Sequence, residues 1–178
     1  FGYYFLMKKF FIILFILFNQ VNFVYAEANF AFVDLNKIMT TSKPGSSILE
    51  QLNKKNNQLL NNFKKDQKKL KDDEVKLIAQ KNIISKEEFQ SKIDKLKIEI
   101  NIYNQNRKNI FKEFNVLKAE TTDKFMKMIN SIFVKYSNEK SIAMIFEKKN
   151  MIIGKSKLDI TDEIIKIVNS EIKEFEIK

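Results

Sequence analysis

The chain contains no cysteine, no histidine and no tryptophan, and only one proline and three glycines among its 178 residues. Without histidine or cysteine there is no imidazole base, no thiolate nucleophile and none of the usual side chains that hold transition metals. The lack of cysteine also means that disulfides contribute nothing to stability and that no thiol is present to carry a lipid anchor. Beyond residue 26 the glycines are Gly45 and Gly154 alone, so a glycine-rich phosphate cradle cannot be assembled. Clustered carboxylates occur at Asp72-Asp73-Glu74 and Glu87-Glu88. Neighbouring residues of a helix diverge around its axis, which makes such clusters poor acid–base pairs. The sequence assigns no catalytic residue, no metal ligand and no cofactor, and it reads as that of a non-enzyme.

The scarcity of helix breakers is itself informative. From Ser46 to about Asn138 there is neither glycine nor proline, which predicts extended helix. Within it Leu49, Leu52, Asn56, Leu59, Phe63, Asp66, Leu70, Asp73 and Leu77 follow alternating steps of three and four, the spacing of a coiled-coil seam. Phe89, Ile93, Leu96, Ile100, Tyr103, Arg107, Ile110, Phe114, Leu117 and Thr121 repeat the pattern more cleanly. After them Phe125, Met128, Ile129, Ile132, Phe133 and Tyr136 widen into the stripe of a globular core.

Between the two seams lies Asn82-Ile83-Ile84-Ser85. Asn82 suits a left-handed helix end. Ser85-x-x-Glu88 fits a capping box, and Ile84 and Phe89 occupy the positions of a hydrophobic staple. Ser47-x-x-Glu50, just after Pro44-Gly45, fits a second capping box at the start of the first arm. A short connection makes antiparallel neighbours, so Leu77 is expected near Phe89 and Leu49 near Thr121. At ~1.5 Å per residue the first arm should extend about 51 Å.

The ends of the chain read differently. Met7-Lys8-Lys9, the apolar run Phe10–Phe18 and Val24-Tyr25-Ala26 resemble a secretory leader, with cleavage expected after Ala26 and residues 1–6 upstream of a candidate initiator. Export is expected to place the mature chain, Glu27 onward, in the periplasm; a retained N-terminal anchor is the rival reading. Phe30 and Phe32 lie in a short strand candidate, Asn29–Asp34, and Asp34 can cap a brief helix, Leu35–Met39. Ile142, Met144 and Phe146 lie in a second strand candidate, and Ile152 in a third, Met151–Ile153, ending at Gly154. Thr161 then caps a final helix with Ile164, Ile165, Ile167 and Val168 on its apolar face. Three short strands are marginal alone, so Phe30, Phe32, Ile142, Met144, Phe146 and Ile152 are the candidate interface between subunits. The fold class expected is α+β and mostly α: an antiparallel helical hairpin projecting from a small β-containing body. The leader is 1–26, the body 27–52 plus 119–178, and the arm 53–118.

Charge is segregated along this plan. Residues 53–118 hold 16 Lys and one Arg against nine acids, a net of +8, while 27–52 carry −1 and 119–178 carry +1. The richness in Lys, Asn and Ile is what an AT-rich genome produces, but mutational bias alone would spread lysines evenly. A basic elongated arm attracts nucleic acid, anionic lipid or acidic protein segments; export counts against nucleic acid, since a nucleic-acid-binding coiled coil would need to stay in the cytoplasm. The candidate binding residues are Lys64, Lys65, Lys68, Lys69, Lys71, Lys76, Lys81, Lys92 and Lys95, with apolar Ile78, Ile83 and Ile84 at the tip.

Taken together, Ala31-Phe32-Val33-Asp34-Leu35-Asn36-Lys37-Ile38, Pro44-Gly45, Ile84-Ser85-Lys86-Glu87-Glu88-Phe89 and Leu158-Asp159-Ile160-Thr161 resemble the Skp/OmpH family of periplasmic chaperones. The resemblance implies a homotrimer with three helical tentacles on a β-barrel-like body. It also implies an ATP-independent holdase that shelters unfolded outer-membrane proteins between the tentacles; anionic lipid stays a further candidate partner on the arm's charge alone. Asn56, Asp66 and Asp73 make the first-arm seam more polar than the family pattern. A structural coiled-coil spacer of the cell envelope would use the same hairpin to bind one folded partner. The exported chain is expected to begin at Glu27; an intact-mass measurement that finds Met7 retained overturns the export reading.

Overall fold

The computed structural model describes Tyr3 and residues 29–177, so the expected leader and its expected cleavage after Ala26 lie outside the described residues. The elements are β1 (Asn29–Val33), α1 (Leu35–Thr41), α2 (Lys43–Ala79), α3 (Lys86–Lys140), β2 (Ile142–Glu147) and α4 (Thr161–Glu171). Short 3-10 turns at Lys148–Asn150 and Ser156–Leu158 lie between β2 and α4. No helix among the described residues is long and apolar enough to cross a membrane.

Helices α2 and α3 form the antiparallel hairpin. At ~1.5 Å per residue, the 37 residues of α2 span about 55 Å. The 55 residues of α3 span about 82 Å on the same rise. Helix α3 continues beyond the start of α2, and its turns beside and past that start supply Phe125, Ile129 and Ile132 to the core. Ile48 and Leu52 of α2, Ala31 and Val33 of β1, Ile38 of α1, and Ile164, Ile165 and Val168 of α4 complete that core.

Capping decides where the helices begin, and two expected caps are corrected. Asp34 Oδ1 accepts from Lys37 N–H at 2.9 Å and starts α1 as the sequence indicates. Helix α2, however, starts at Lys43 and not at Ser47. Ser42, fully buried, donates its backbone N–H to Ile38 at the end of α1 and accepts Gly45 N–H on its hydroxyl at 3.3 Å. One serine thus ends one helix and begins the next. Pro44 sits in the first turn, where its missing N–H leaves no bond unmade. Ser47 instead accepts a bond from Gln51 Nε2 at 3.2 Å.

At the tip, Ser85 accepts Glu88 N–H at 3.1 Å, but the Glu88 carboxylate pairs with Lys92 at 2.9 Å and does not fold back to close the box. Asn82 is not left-handed. Ile83 and Ile84 both donate to the Gln80 carbonyl in a right-handed turn. The non-glycine left-handed residue among those described is Ser141, at φ 52°, which ends α3 and turns the chain into β2.

The sheet has two parallel strands, pairing Phe30 with Met144, Ala31 with Ile145 and Phe32 with Phe146. The third strand expected at Met151–Ile153 does not form. After β2 the 3-10 turn carries the chain across the outer face of the sheet, where Gly154 packs over Phe32; a Cβ at Gly154 would stand 2.8 Å from the Phe32 ring. The far edge of β1 is met by Asp159 and Ile160 instead, with Ile160 N–H donating to the Phe32 carbonyl at 3.0 Å.

Thr161 likewise does not cap α4. It is the helix's first residue, and Ile160 holds the cap position without a side-chain bond; Asp159 accepts the Thr161 N–H at 3.0 Å and its hydroxyl, while Thr161 Oγ1 accepts Asp34 N–H at 2.9 Å. Asn169 Oδ1 accepts the free N–H of Lys43 at 2.7 Å and ties α4 to the start of α2.

Gly45 faces the end of α1 so closely that a Cβ would strike the Met39 carbonyl and stand 2.8 Å from Ser42 Oγ. Within most helices a Gly→Ala change stabilises by about 1 kcal/mol. Here the clash dominates: Gly45→Ala is expected to destabilise by about 1–3 kcal/mol, read as a lower urea midpoint by circular dichroism. A raised midpoint would refute the close packing of α1 on α2.

Candidate functional site

The arm is a seam with a charged exterior. Of the nine seam positions on α2, only Asp66 is exposed, and every other residue from Asn53 to Gln80 lies open to solvent. On α3 the corresponding exception is Arg107. Coiled-coil spacing therefore holds even where the seam residue is polar, as at Asn56 and Asp73, both half-buried.

Phe63 locks the middle of the arm. Its ring stacks on Phe111 with centroids 5.4 Å apart and meets the Tyr103 ring edge-on at 6.2 Å. The Tyr103 hydroxyl donates to the Phe63 carbonyl at 3.3 Å, and the Arg107 guanidinium lies 5.7 Å from the Phe111 ring centre. Phe63 thus faces the two turns centred on Arg107. Carried to the arm's root, that register brings Leu49 level with Thr121. Towards the tip Leu77 shares a surface groove with Lys92 and Leu96, nearer the body than Phe89, because the six-residue turn offsets the two helices.

Lys64, Lys65, Lys68, Lys69, Lys71, Lys76, Lys81 and Lys95 are exposed, and Lys92 is half-buried. Lys68 pairs with Asp72 at 3.1 Å, Lys76 with Asp73 at 3.8 Å and Lys92 with Glu88 at 2.9 Å. Exposed pairs of this kind contribute about 0–1 kcal/mol, which leaves these ammonium groups open to exchange partners. Lys64, Lys65, Lys69, Lys71, Lys81 and Lys95 make no ion pair among the described residues. Ile78 and Ile83 are 61% and 79% exposed, and Ile84 is half-buried at the turn.

The sequence reading missed Val75, Ile98 and Ile102, further exposed apolar groups on the distal arm. Their signal was present, since all three stand off the seam in a stretch where off-seam residues are otherwise polar. The distal arm therefore offers apolar side chains interspersed with cations.

A second apolar surface lies on the body. Phe30, Met144 and Phe146 are exposed on the outer face of the sheet, with the Phe30 and Phe146 ring centroids 6.1 Å apart. Ile152 is fully exposed beside Ile153. The other two residues read as interface behave differently: Phe32 is buried beneath Met151 and Gly154 of its own chain, and Ile142 is half-buried.

Between these surfaces a polar knot holds the body's geometry. Burial works against ionisation of Asp159, but hydrogen bonds from the Thr161 hydroxyl, the Lys148 ammonium (2.9 Å) and the Thr161 amide outweigh it. Its carboxyl is held below the usual range. Among the described residues no group of acids is arranged to hold a metal ion.

A long basic helical hairpin on a small α+β body with an exposed apolar sheet face defines the class of fold: mostly α, with a projecting coiled-coil arm. The chain belongs to the OmpH-like outer membrane protein family, whose model matches residues 29–168. The fold is similar to the crystal structure of a chain assigned as an OmpH-like outer membrane chaperone of Caulobacter crescentus CB15. The TM-score is 0.77 at 14% identity, over 85% of this chain and 89% of that one. No curated protein matches by sequence.

A depressed carboxyl stabilises the fold above its unfolded value of about 3.9 and ceases to do so as pH falls through the folded value. Asp159→Asn should therefore lower the melting temperature at pH 7, with the gap to the wild type closing as pH falls below about 4. A gap that persists undiminished at acid pH would show that charge is not its source.

Proposed function

We propose that this protein is an ATP-independent periplasmic holdase that binds unfolded outer-membrane proteins between basic helical arms and keeps them from aggregating. The observation that carries the reading is the distal arm, where lysines are interspersed with exposed Val75, Ile78, Ile83, Ile98 and Ile102 along an open surface. Such a surface makes many weak contacts and selects no single shape. Family membership and the likeness to an assigned chaperone support the same reading.

Self-association supplies the rest of the mechanism. A two-stranded sheet is marginal by itself, and the face bearing Phe30, Met144 and Phe146 is of the kind that other chains cover. Closing it with two further copies gathers three arms around one cavity. A client touching one arm then meets the others at high effective concentration, so weak contacts sum to stable capture. Lysines draw acidic stretches of the client, apolar tips engage its hydrophobic strands, and release needs no nucleotide. The same lysines suit anionic lipid headgroups as a secondary ligand; nucleic acid is not a partner in this compartment.

The purified protein should keep a urea-diluted outer-membrane β-barrel protein soluble, as followed by light scattering, and should have the mass of a trimer. Capture should weaken between low and high ionic strength, because exposed charge is screened within about 10 Å at 0.1 M salt. Replacing Lys64, Lys65, Lys68, Lys69 and Lys71 together by Gln should lower client affinity about tenfold, each lost surface contact being worth a few tenths of a kcal/mol. A client that aggregates equally with and without the protein would favour the envelope spacer.

A further inference from the structure

The C-terminal tail, residues 172–177, leaves α4 extended and comes to rest at the root of the arm. Gln51 of α2 holds its backbone with both ends of one amide. Nε2 donates to the Phe175 carbonyl at 3.1 Å, and Oε1 accepts Ile177 N–H at 2.9 Å. A residue in a parallel β-ladder offers its neighbour this same donor–acceptor pair across two residues. The side chain of Gln51 therefore imitates a strand.

Three further observations make this a built groove. Ile172 is buried, and Phe175 and Ile177 pack half-buried against the core, while Lys173, Glu174 and Glu176 face solvent. The Phe175 ring lies 4.5 Å from the Lys124 ammonium of α3, a cation–π contact. The tail also stands beyond residue 168, where the family match ends. The groove thus reads a main chain, an aromatic ring and a two-residue alternation of apolar and acidic side chains, Glu174-Phe175-Glu176-Ile177. None of these depends on the segment being joined to α4.

We propose that the root of the arm is a binding site for an extended client segment in which apolar or aromatic side chains alternate with polar or acidic ones, and that the tail is its resident competitor. This rests on the reading of the protein as a holdase of unfolded outer-membrane chains, whose strands carry that alternation. Main-chain bonds supply affinity and alternate side-chain contacts supply selectivity, as in other strand-addition sites. An occupied groove binds in proportion to the fraction of time it is free. Free client is therefore ignored, whereas client already gathered by the arms reaches the concentration needed to displace the tail.

Hydrogen exchange on the wild-type protein, with and without a captured urea-diluted outer-membrane protein, tests this. The amides of residues 172–177 are expected to exchange about tenfold faster in the complex, following the fraction of tail displaced. In parallel, a labelled peptide with the sequence of residues 172–178 should bind full-length Phe175→Ser/Ile177→Ser about tenfold more tightly than wild type. Adding Gln51→Ala to that variant should weaken the peptide again. Unchanged tail protection in a complex that light scattering shows to hold client overturns the site while leaving the holdase reading intact. So does peptide binding no tighter in a variant whose circular dichroism is native. Failure to capture client in the same samples overturns both readings. Should the variant not fold, exchange on the wild type decides alone.

Discussion

Phe125, Ile129 and Ile132 sit on the turns of α3 beside and beyond the start of α2, and they share one core with Ile48, Leu52, Ile164 and Val168. Each large side chain fully withdrawn from water contributes about 1.5–3 kcal/mol. The remainder of the structure depends on this shared burial. The two-stranded sheet could not stand by itself, and α1 and α4 are too short to persist as isolated helices. With the overhang packed, the start of α2 is pinned beside α1 through Ser42 and beside α4 through Asn169. The arm can then project from a fixed root.

Projection has a different physical basis from anchoring. Beyond Leu52 only Phe63 and Leu77 of α2 are buried, so little apolar area holds the arm's two helices together. The aromatic lock of Phe63, Tyr103 and Phe111 is the strongest point along it, and the net positive charge keeps the outer surface solvated. The arm's seam and the body's core share few residues, so a change in the arm need not disturb the body. Root and arm are thus built from different interactions.

Much of the fold was legible in sequence because helix-hairpin information is local and repeats. The alternation of three and four from Leu49 to Leu77 and from Phe89 to Thr121 marked the buried seam residue by residue, erring at Asp66 and Arg107, the charged positions that turn outward. Ser85 was readable as a cap because its partner, Glu88 N–H, is three residues away. The exposed lysines and tip isoleucines followed directly from standing off that seam. By contrast Ser47, Asn82, Thr161 and Met151–Ile153 matched local rules and were overruled. At Ser47, Asn82 and Thr161 a competing bond a few residues away won: Gly45 N–H on Ser42, Ile83 and Ile84 N–H on the Gln80 carbonyl, and Thr161 N–H on Asp159; at Met151–Ile153 the distant Phe32 ring met Gly154 instead.

The amino-acid sequence by itself determined the helical hairpin, its turn and the concentration of charge on its arm, since these rest on periods of a few residues and on which side chains are present. The tertiary structure decided what lies at the root. That Phe32 is covered by its own chain while Phe30, Met144 and Phe146 stay open depends on the path taken after β2. That a glutamine in α2 holds the backbone of residues more than a hundred positions away depends on where α4 releases the tail. No pattern in the sequence encodes either contact, because hydrogen bonds and packing between distant segments leave no period to be read. They exist only once the core has brought those segments together.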